Sequence, residues 1–272
     1  MDFPLHHIRH PDQMRLLTMI EKQTTSFGWL AGQHHLDPNK KTILFIHGAG
    51  FNSHLWVHQI KRLAPHFNTV AIDLPGHHRS TGQPLTTIEA YGKSVMDFIE
   101  EAQLPQVVPC GLSMGGAIVL QMLLDSPHLF GEAILVNTGA RLRVLPDILD
   151  AVQNHYEAYR TSLFHFAVPE NLRTDALKEA LLKATEPTGE ATLQDLKACD
   201  IFDVMNKVQS ISARTLVMGA EKDISTPLKY ARLLSDNIKQ SFLSEIKGCG
   251  HFSPLEAPER VSQVMEDFLM YT

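Results

Sequence analysis

The sequence predicts an α/β protein built on a mainly parallel sheet with helices on both faces. Short apolar runs, which are typical of fully buried strands, alternate along the chain with longer segments of helical periodicity. This alternation favours parallel strands joined by crossover helices. With 272 residues, of which 44% are hydrophobic and 20% charged, the chain can bury a sizeable core.

Six strands form the central part of the predicted sheet, and two weaker ones over residues 14–35, joined near Thr24–Ser26, bring the total to eight. The six are Thr42–Ile46, Thr69–Ile72, Gln106–Cys110, Glu132–Asn137, Thr215–Met218 and Ser241–Ile246. The predicted helices are Ser53–Leu63, Thr87–Ala102, Met114–Asp125, Leu228–Asp236 and Pro258–Tyr271. Thr86 and Glu89 have the spacing of a capping box, which places the start of the second helix.

Residues 141–210 interrupt this alternation. They contain helix-like stretches at Asp147–Tyr159, Asp175–Ala184 and Thr192–Cys199 but no convincing strand. The segment is far too long for a plain connection in a compact domain. We therefore expect residues 1–140 and 211–272 to form the α/β core, and residues 141–210 to form a helical lid inserted between two strands.

Charge and cysteine content exclude several classes of function. The formal net charge is −6, and no run of Lys or Arg forms a patch suited to nucleic acid or anionic lipid. We find no targeting signal and no apolar segment long enough to cross a bilayer, so a cytoplasmic location without membrane contact is expected. Cys110, Cys199 and Cys249 are widely spaced and predict buried free thiols rather than disulfides or a zinc site.

The clearest chemical signal is the run Gly111-Leu112-Ser113-Met114-Gly115, which lies between a predicted strand and a predicted helix. This is the G-x-S-x-G pattern in the strand–turn–helix context in which it presents a nucleophilic serine. The glycines leave room for a tight turn, and the helix N-terminus can stabilise developing negative charge. Ser113 is the candidate nucleophile, although a tight connection without chemistry has the same local pattern.

The loop His47-Gly48-Ala49-Gly50 follows the first central strand. In proteins with a serine turn of this kind, that loop supplies an N–H to the oxyanion hole. We assign the two donors to the backbone N–H groups of Ala49 and Met114, and expect His47 to stabilise the loop. A dinucleotide site is the alternative, because Asp73 follows at the right distance, but Ser53 replaces the third glycine of that motif.

A serine nucleophile needs a histidine base and an acid that orients it, and in G-x-S-x-G proteins these follow the serine in the order acid, base. His251 lies on the glycine-rich loop after the last strand. The strand Thr215–Met218 leads into Glu221 and Asp223, whereas no carboxylate follows the strand that ends at Asn137. Asp223 is the candidate acid and Glu221 the second choice, with a helix cap as the non-catalytic interpretation of either.

Taken together, these residues resemble the α/β-hydrolase fold family, especially its lid-bearing esterases, lactonases and carbon–carbon bond hydrolases. The resemblance extends from about residue 27 to the end, the lid excepted, and also includes Asp73-Leu74-Pro75-Gly76-His77, Pro227, Glu256 and Pro258. His78 and Arg79 depart from the glycine common at that point. The resemblance implies no cofactor, and Ser113 argues against the family members that use an aspartate nucleophile.

The sequence thus predicts a serine hydrolase that cleaves a carboxylic ester or related acyl bond of a small molecule. A lactonase, a carbon–carbon bond hydrolase or a non-catalytic binding protein of the same fold are the alternatives. His54 and His58 are four residues apart but lack the glutamate of a zinc-protease motif, so no metal is expected. Phe164, His165 and Phe166 either line the pocket or pack the lid onto the core.

Overall fold

In a computed structural model, which describes residues 15–22 and 25–271, the chain folds around one mostly parallel sheet. The strands are β1 Arg15–Lys22, β2 Thr25–Ala31, β3 Thr42–Ile46, β4 Asn68–Ile72, β5 Val107–Leu112, β6 Glu132–Val136, β7 Arg214–Ala220 and β8 Ser241–Ile246. Within the described residues their order across the sheet is β1-β2-β4-β3-β5-β6-β7-β8. β1 and β2 are antiparallel to their neighbours, and every pairing from β4 to β8 is parallel.

The helices are α1 Val57–Leu63, α2 Ile88–Glu101, α3 Met114–Asp125, α4 Pro146–Asn154, α5 Tyr156–Ala167, α6 Asp175–Ala184, α7 Gly189–Ile201, α8 Leu228–Asn237, α9 Ser253–Glu256 and α10 Pro258–Met270, with a 3-10 helix at Ser53–Trp56. No helix in this part of the chain combines the length and apolar composition needed to span a bilayer.

Two apolar clusters cover the two faces of the sheet, as a parallel sheet requires. One packs α2 and α3 against the sheet around fully buried Tyr91 and Phe98, and the other packs α1 and α10 around Trp56. Trp56 stacks on Phe45 of β3 with ring centroids 4.9 Å apart. The predicted fold class and the six central strands are confirmed, with strand ends within two residues of those predicted. β3 and β4 are buried along their whole length.

Two local predictions need correction. The capping box at Thr86 is wrong, because Thr87 is the N-cap of α2 and its side chain accepts from Ala90 N, which leaves Glu89 in the first turn. The single helix predicted over Asp147–Tyr159 is broken at His155, whose φ of −141° is not helical. The break lets α5 turn and bury Leu163 and Phe164. Of the junction predicted at Thr24–Ser26, Thr24 lies outside the described residues, whereas Thr25 and Ser26 already belong to β2.

The inserted segment, defined here as residues 146–201, contains α4 to α7 and lies between β6 and β7. α6 packs against the 3-10 helix and α9, and α7 packs against α3. An isolated bridge between Phe51 and Thr185 joins the segment to the core, and a second one between Arg141 and Asp203 joins the two chain segments that flank it. The inserted segment therefore lies over loops that follow the carboxyl ends of the parallel strands.

Candidate active site

Ser113 lies at the turn between β5 and α3, with φ 55° and ψ −116°. This backbone conformation is strained for a residue with a side chain, as is common at functional turns. The flanking glycines make it possible: a Cβ on Gly111 would collide with the Gly115 carbonyl, and a Cβ on Gly115 would collide with the Ile46 carbonyl. The turn thus places the half-buried Ser113 at the N-terminus of α3.

His251 and Asp223 meet across the loops that follow β8 and β7. His251 Nδ1 lies 2.8 Å from Asp223 Oδ2, and both residues are buried. Asp223 Oδ1 also accepts from the N–H groups of Ser225 at 2.8 Å and Thr226 at 2.9 Å. Because Nδ1 is taken by the carboxylate, the opposite ring nitrogen of His251 is the one free to exchange a proton.

The electrostatics of this pair favour an ionised acid beside an imidazole that readily takes a proton. Burial alone would raise the pKa of Asp223, but the charge of His251 and the hydrogen bonds from His251 and Thr226 lower it below its usual range. Burial alone would lower the pKa of His251, but the Asp223 charge and hydrogen bond outweigh it and raise that pKa.

Glu221, the second choice for the acid, does not reach His251. Its Oε2 accepts from Gly248 N at 2.9 Å on the exposed side of the loop. The structure therefore brings Asp223, and not Glu221, to the imidazole. Among the described residues the Ser113 hydroxyl forms no hydrogen bond with His251, a separation common in active sites without substrate.

Asn137 and Thr138 join all three loops, and sequence reasoning missed them. Asn137, with φ 43°, donates from Nδ2 to His251 O at 2.8 Å and accepts from Ala220 N at 2.9 Å. Thr138 Oγ1 donates to Ser113 O at 2.7 Å. The sequence signal was an asparagine at the predicted end of a strand, a residue type that tolerates positive φ.

Glu256 holds the histidine loop from the other side. Its carboxylate accepts from Gly250 N at 2.6 Å and Phe252 N at 2.8 Å, the two residues that flank His251. Burial raises the pKa of Glu256 to about 7, although the two N–H donors act in the opposite direction. The inserted segment contributes as well, since His251 N donates to Ala167 O at 3.1 Å.

The oxyanion loop, residues 47–52, lies against the serine turn. A Cβ on Gly48 would lie 3.4 Å from the Cβ of Ser113. Within the described part of the chain, the N–H groups of Ala49 and Met114 have no hydrogen-bond acceptor. Both N–H groups therefore remain available as hydrogen-bond donors.

His47 supports this loop as expected. Its Nε2 accepts from Leu74 N at 3.0 Å, and its Nδ1 lies 2.9 Å from Gly48 O, so the neutral ring carries its proton on Nδ1. Burial, together with the neighbouring His77, lowers the pKa of His47 well below its ordinary value. His47 is thus a neutral structural group and not a group that transfers protons.

The competing site hypotheses find little support in the geometry. Asp73 points inward and accepts from Ser53 N at 2.8 Å, and Thr192 packs on Gly50 where a dinucleotide phosphate would lie. No group of three or more histidine, cysteine or carboxylate side chains suited to a metal occurs in the chain as described. The three cysteines are free and buried. Phe164 packs in the core, whereas Phe166 is exposed.

Comparison with known sequences agrees with this geometry. Residues 43–264 match the model of the alpha/beta hydrolase family. The chain belongs to this family.

As an α/β-hydrolase, the chain has relatives that act on different bonds. It is 25% identical over 246 residues to a pimeloyl–acyl carrier protein methyl ester esterase of Proteus mirabilis, with 85% of this chain and 93% of the relative covered. It is 27% identical over 252 residues to a putative carbamate hydrolase of Rhizobium rhizogenes, with 87% and 95% covered. The relatives are hydrolases, which supports a hydrolase activity for this α/β-hydrolase.

The fold is also that of solved hydrolase structures. The crystal structure of an enol-lactonase from Burkholderia xenovorans superposes with a TM-score of 0.84 at 21% identity, covering 90% of this chain and 97% of the lactonase. At this identity the likeness concerns the fold of the α/β-hydrolase and does not extend to its substrate.

Proposed function

We propose that this protein hydrolyses a carboxylic ester or a related acyl bond of a small molecule, with Ser113, His251 and Asp223 as its catalytic triad. The observation that carries the proposal is the hydrogen bond of 2.8 Å between His251 Nδ1 and Asp223 Oδ2. The adjacent residues Asn137 and Thr138 tie the loop of this pair to the strained turn of Ser113. A buried imidazole paired with a carboxylate, on a loop tied to a serine turn of this kind, supports the assignment of a general base and its nucleophile.

In the proposed mechanism, His251 removes the Ser113 proton while the serine oxygen attacks the acyl carbon. The N–H groups of Ala49 and Met114 stabilise the oxyanion, and the protonated His251 donates its proton to the leaving group. Water, deprotonated by His251, then attacks the acyl-enzyme and releases the acid and free Ser113. Asp223 stays ionised throughout and holds the ring orientation.

The inserted segment has the place of a lid in this proposal. It lies over the strand ends and contacts the histidine loop through Ala167. Residues 141–210 would then shape the acyl pocket and determine its substrate specificity, as a carboxylesterase, a lactonase or a carbon–carbon bond hydrolase.

Substitution of the nucleophile tests the proposal directly. We expect Ser113→Ala to reduce hydrolysis of a short p-nitrophenyl ester by up to about 10⁶-fold, and a fluorophosphonate probe to label the wild-type protein at Ser113 only. Ser210→Ala is a suitable control, because Ser210 is exposed and precedes β7 at the opposite end from Asp223.

Unchanged turnover in Ser113→Ala would refute the assignment. A wild-type protein that neither turns over substrates nor reacts with the probe would instead favour the non-catalytic binding protein. Assays of the wild-type enzyme with an ester, a lactone and a diketone would distinguish the three hydrolase activities.

A further inference from the structure

Asp195, on α7 of the inserted segment, is fully buried at the oxyanion loop. Its Oδ2 accepts from the Gly50 N–H at 2.8 Å and lies 2.8 Å from His77 Nε2, while its Oδ1 accepts from the Tyr91 hydroxyl at 2.5 Å. A carboxylate without solvent must be matched by donors and by a compensating charge. Three donors from three separate parts of the core meet this requirement.

His77 supplies the compensating charge. Its Nδ1 lies 3.1 Å from Pro75 O and its Nε2 faces Asp195, so both ring nitrogens face acceptors and the ring is held as the cation. Burial would lower the pKa of His77, but the Asp195 charge and hydrogen bond outweigh it and raise the pKa to about 9. The neutral His47 packs against His77, with the two ring centroids 4.9 Å apart, and its Nδ1 contacts Gly48 O.

Residues 184–186 secure the same loop by a second set of contacts. Asn52 N donates to Ala184 O, and Glu186 N donates to Gly50 O, both at 2.9 Å. The Glu186 carboxylate accepts from His78 N at 3.1 Å. The loop that presents the Ala49 N–H is therefore held on its outer side by the inserted segment.

Gly50 is the point where this support reaches the Ala49 donor. Gly50 has φ +70°, and Thr192 of α7 packs where its side chain would be. With its N–H held by Asp195, the peptide between Ala49 and Gly50 has a fixed plane. A change in that plane would move the neighbouring Ala49 N–H away from the serine turn.

We infer that Asp195 is a positioning residue for the oxyanion hole, and that the inserted segment completes the catalytic site through it. The inference rests on the proposed function of Ser113 and the Ala49 N–H. His77 neutralises the charge of Asp195. An unpaired carboxylate at this loop would repel a developing oxyanion, whereas the Asp195–His77 ion pair carries no net charge.

The test compares Asp195→Asn with Glu190→Gln, a control that makes the same carboxylate-to-amide change at an exposed position of α7. Active sites are first counted by fluorophosphonate labelling. We expect Asp195→Asn to lower kcat per labelled site by about 10- to 100-fold, since losing one oxyanion donor outright costs about 10²- to 10³-fold. KM should change less than about threefold, because the bound ester does not yet carry the oxyanion charge. The control should retain wild-type kcat.

A structural role alone gives a different result. Asp195→Asn would then lower Tm and the number of labelled sites but leave kcat per labelled site unchanged, which would overturn the inference. Hydrogen exchange at the Gly50 amide provides a second measurement on the wild-type protein. Slow exchange supports the contact, and exchange at the rate of an open loop would overturn it even if Asp195→Asn does not fold.

Failure of the proposed function is distinguishable from failure of this inference. Without turnover or labelling in the wild type, the triad proposal fails, and the role of Asp195 in catalysis fails with it. With normal wild-type turnover and an unaffected kcat in Asp195→Asn, only the inference about Asp195 fails.

Discussion

The hydrogen bond at Nδ1 of His251 leaves Nε2 as the nitrogen that can accept a proton. The same bond affects the pKa of the ring. Asp223 accepts that bond at 2.8 Å and is itself held by the N–H groups of Ser225 and Thr226. Because the carboxylate is fully satisfied and ionised, it stabilises the imidazolium more than the neutral ring. The pKa of His251 is raised for this reason, despite burial.

The pH profile should report this interaction. In the proposed mechanism His251 must be neutral to accept a proton. The kcat/KM of the wild type should therefore fall as the pH drops through a value above the ordinary 6.5. We expect Asp223→Asn to lower kcat by about 10⁴-fold and to move that acidic limb to lower pH, because the stabilising charge is gone. Profiles of kcat/KM between pH 5 and 9 measure both effects.

Glu221→Gln is the matched control, because Glu221 lies on the same loop as Asp223 but its carboxylate accepts from Gly248 N and not from His251. Its profile should match that of the wild type. If Glu221→Gln removed activity and Asp223→Asn retained it, the choice of acid would be wrong.

Site residues that neighbouring glycines or strand ends mark could be predicted from the sequence. Residues whose role depends on contacts with distant parts of the chain could not. Ser113 and His251 were found because glycines and strand ends mark them. Asn137 and Asp195 contribute to the same geometry but had no such mark, and Glu256 entered only through the family resemblance. Asp195 meets Gly50 across 145 positions of the chain, and that contact depends on how α7 packs on the core.

Among the secondary-structure elements, helix ends could be predicted where glycine or proline lies beside them. α3 begins and ends as predicted at Met114 and Asp125, because a glycine turn precedes it and Pro127 follows. The break at His155 was missed because it depends on packing rather than on a glycine or proline. The N-cap of α2 is Thr87, one residue later than the capping-box pattern at Thr86 indicated.

The approach of α3 to β3 depends on a glycine. A Cβ on Gly115 would collide with the Ile46 carbonyl and lie 2.7 Å from the His47 carbonyl. We expect Gly115→Ala to lower the free energy of unfolding by about 1–3 kcal/mol, the usual cost of overpacking, and to displace Ser113. Urea denaturation measures the first effect and fluorophosphonate labelling the second.

Gly131→Ala makes the same substitution in open space, with no atom within 4 Å of the added Cβ. Its free energy of unfolding should stay within about 0.5 kcal/mol of the wild type. Equal destabilisation by the two variants would mean that the close approach of α3 to β3 is not what requires glycine at 115.

Considered as a whole, the molecule joins its inserted segment to the core by apolar packing and by buried charge. Leu163, Phe164 and Leu181 extend the apolar cluster of α1 and α10, whereas Asp195 enters the core beside His77 and Tyr91. Apolar packing is insensitive to pH, but an ion pair is not. The attachment of the inserted segment should therefore contribute a pH-dependent part of the stability.

The sign of that dependence follows from His77, whose pKa rises from 6.5 to about 9 on folding. Between these values the folded chain binds more protons than the unfolded chain, so the stabilisation is complete below pH 6.5 and is lost as the pH rises through about 9. Urea denaturation of the wild type and His77→Gln at pH 6, 7.5 and 9.5 would measure it. The difference in unfolding free energy between the wild type and His77→Gln should shrink with rising pH, by about 3 kcal/mol at most.

His128→Gln, which removes an exposed imidazole, controls for the loss of a histidine as such. A difference that instead grew with pH would show that His77 is buried neutral, and that Asp195 reaches the oxyanion loop without a compensating cation.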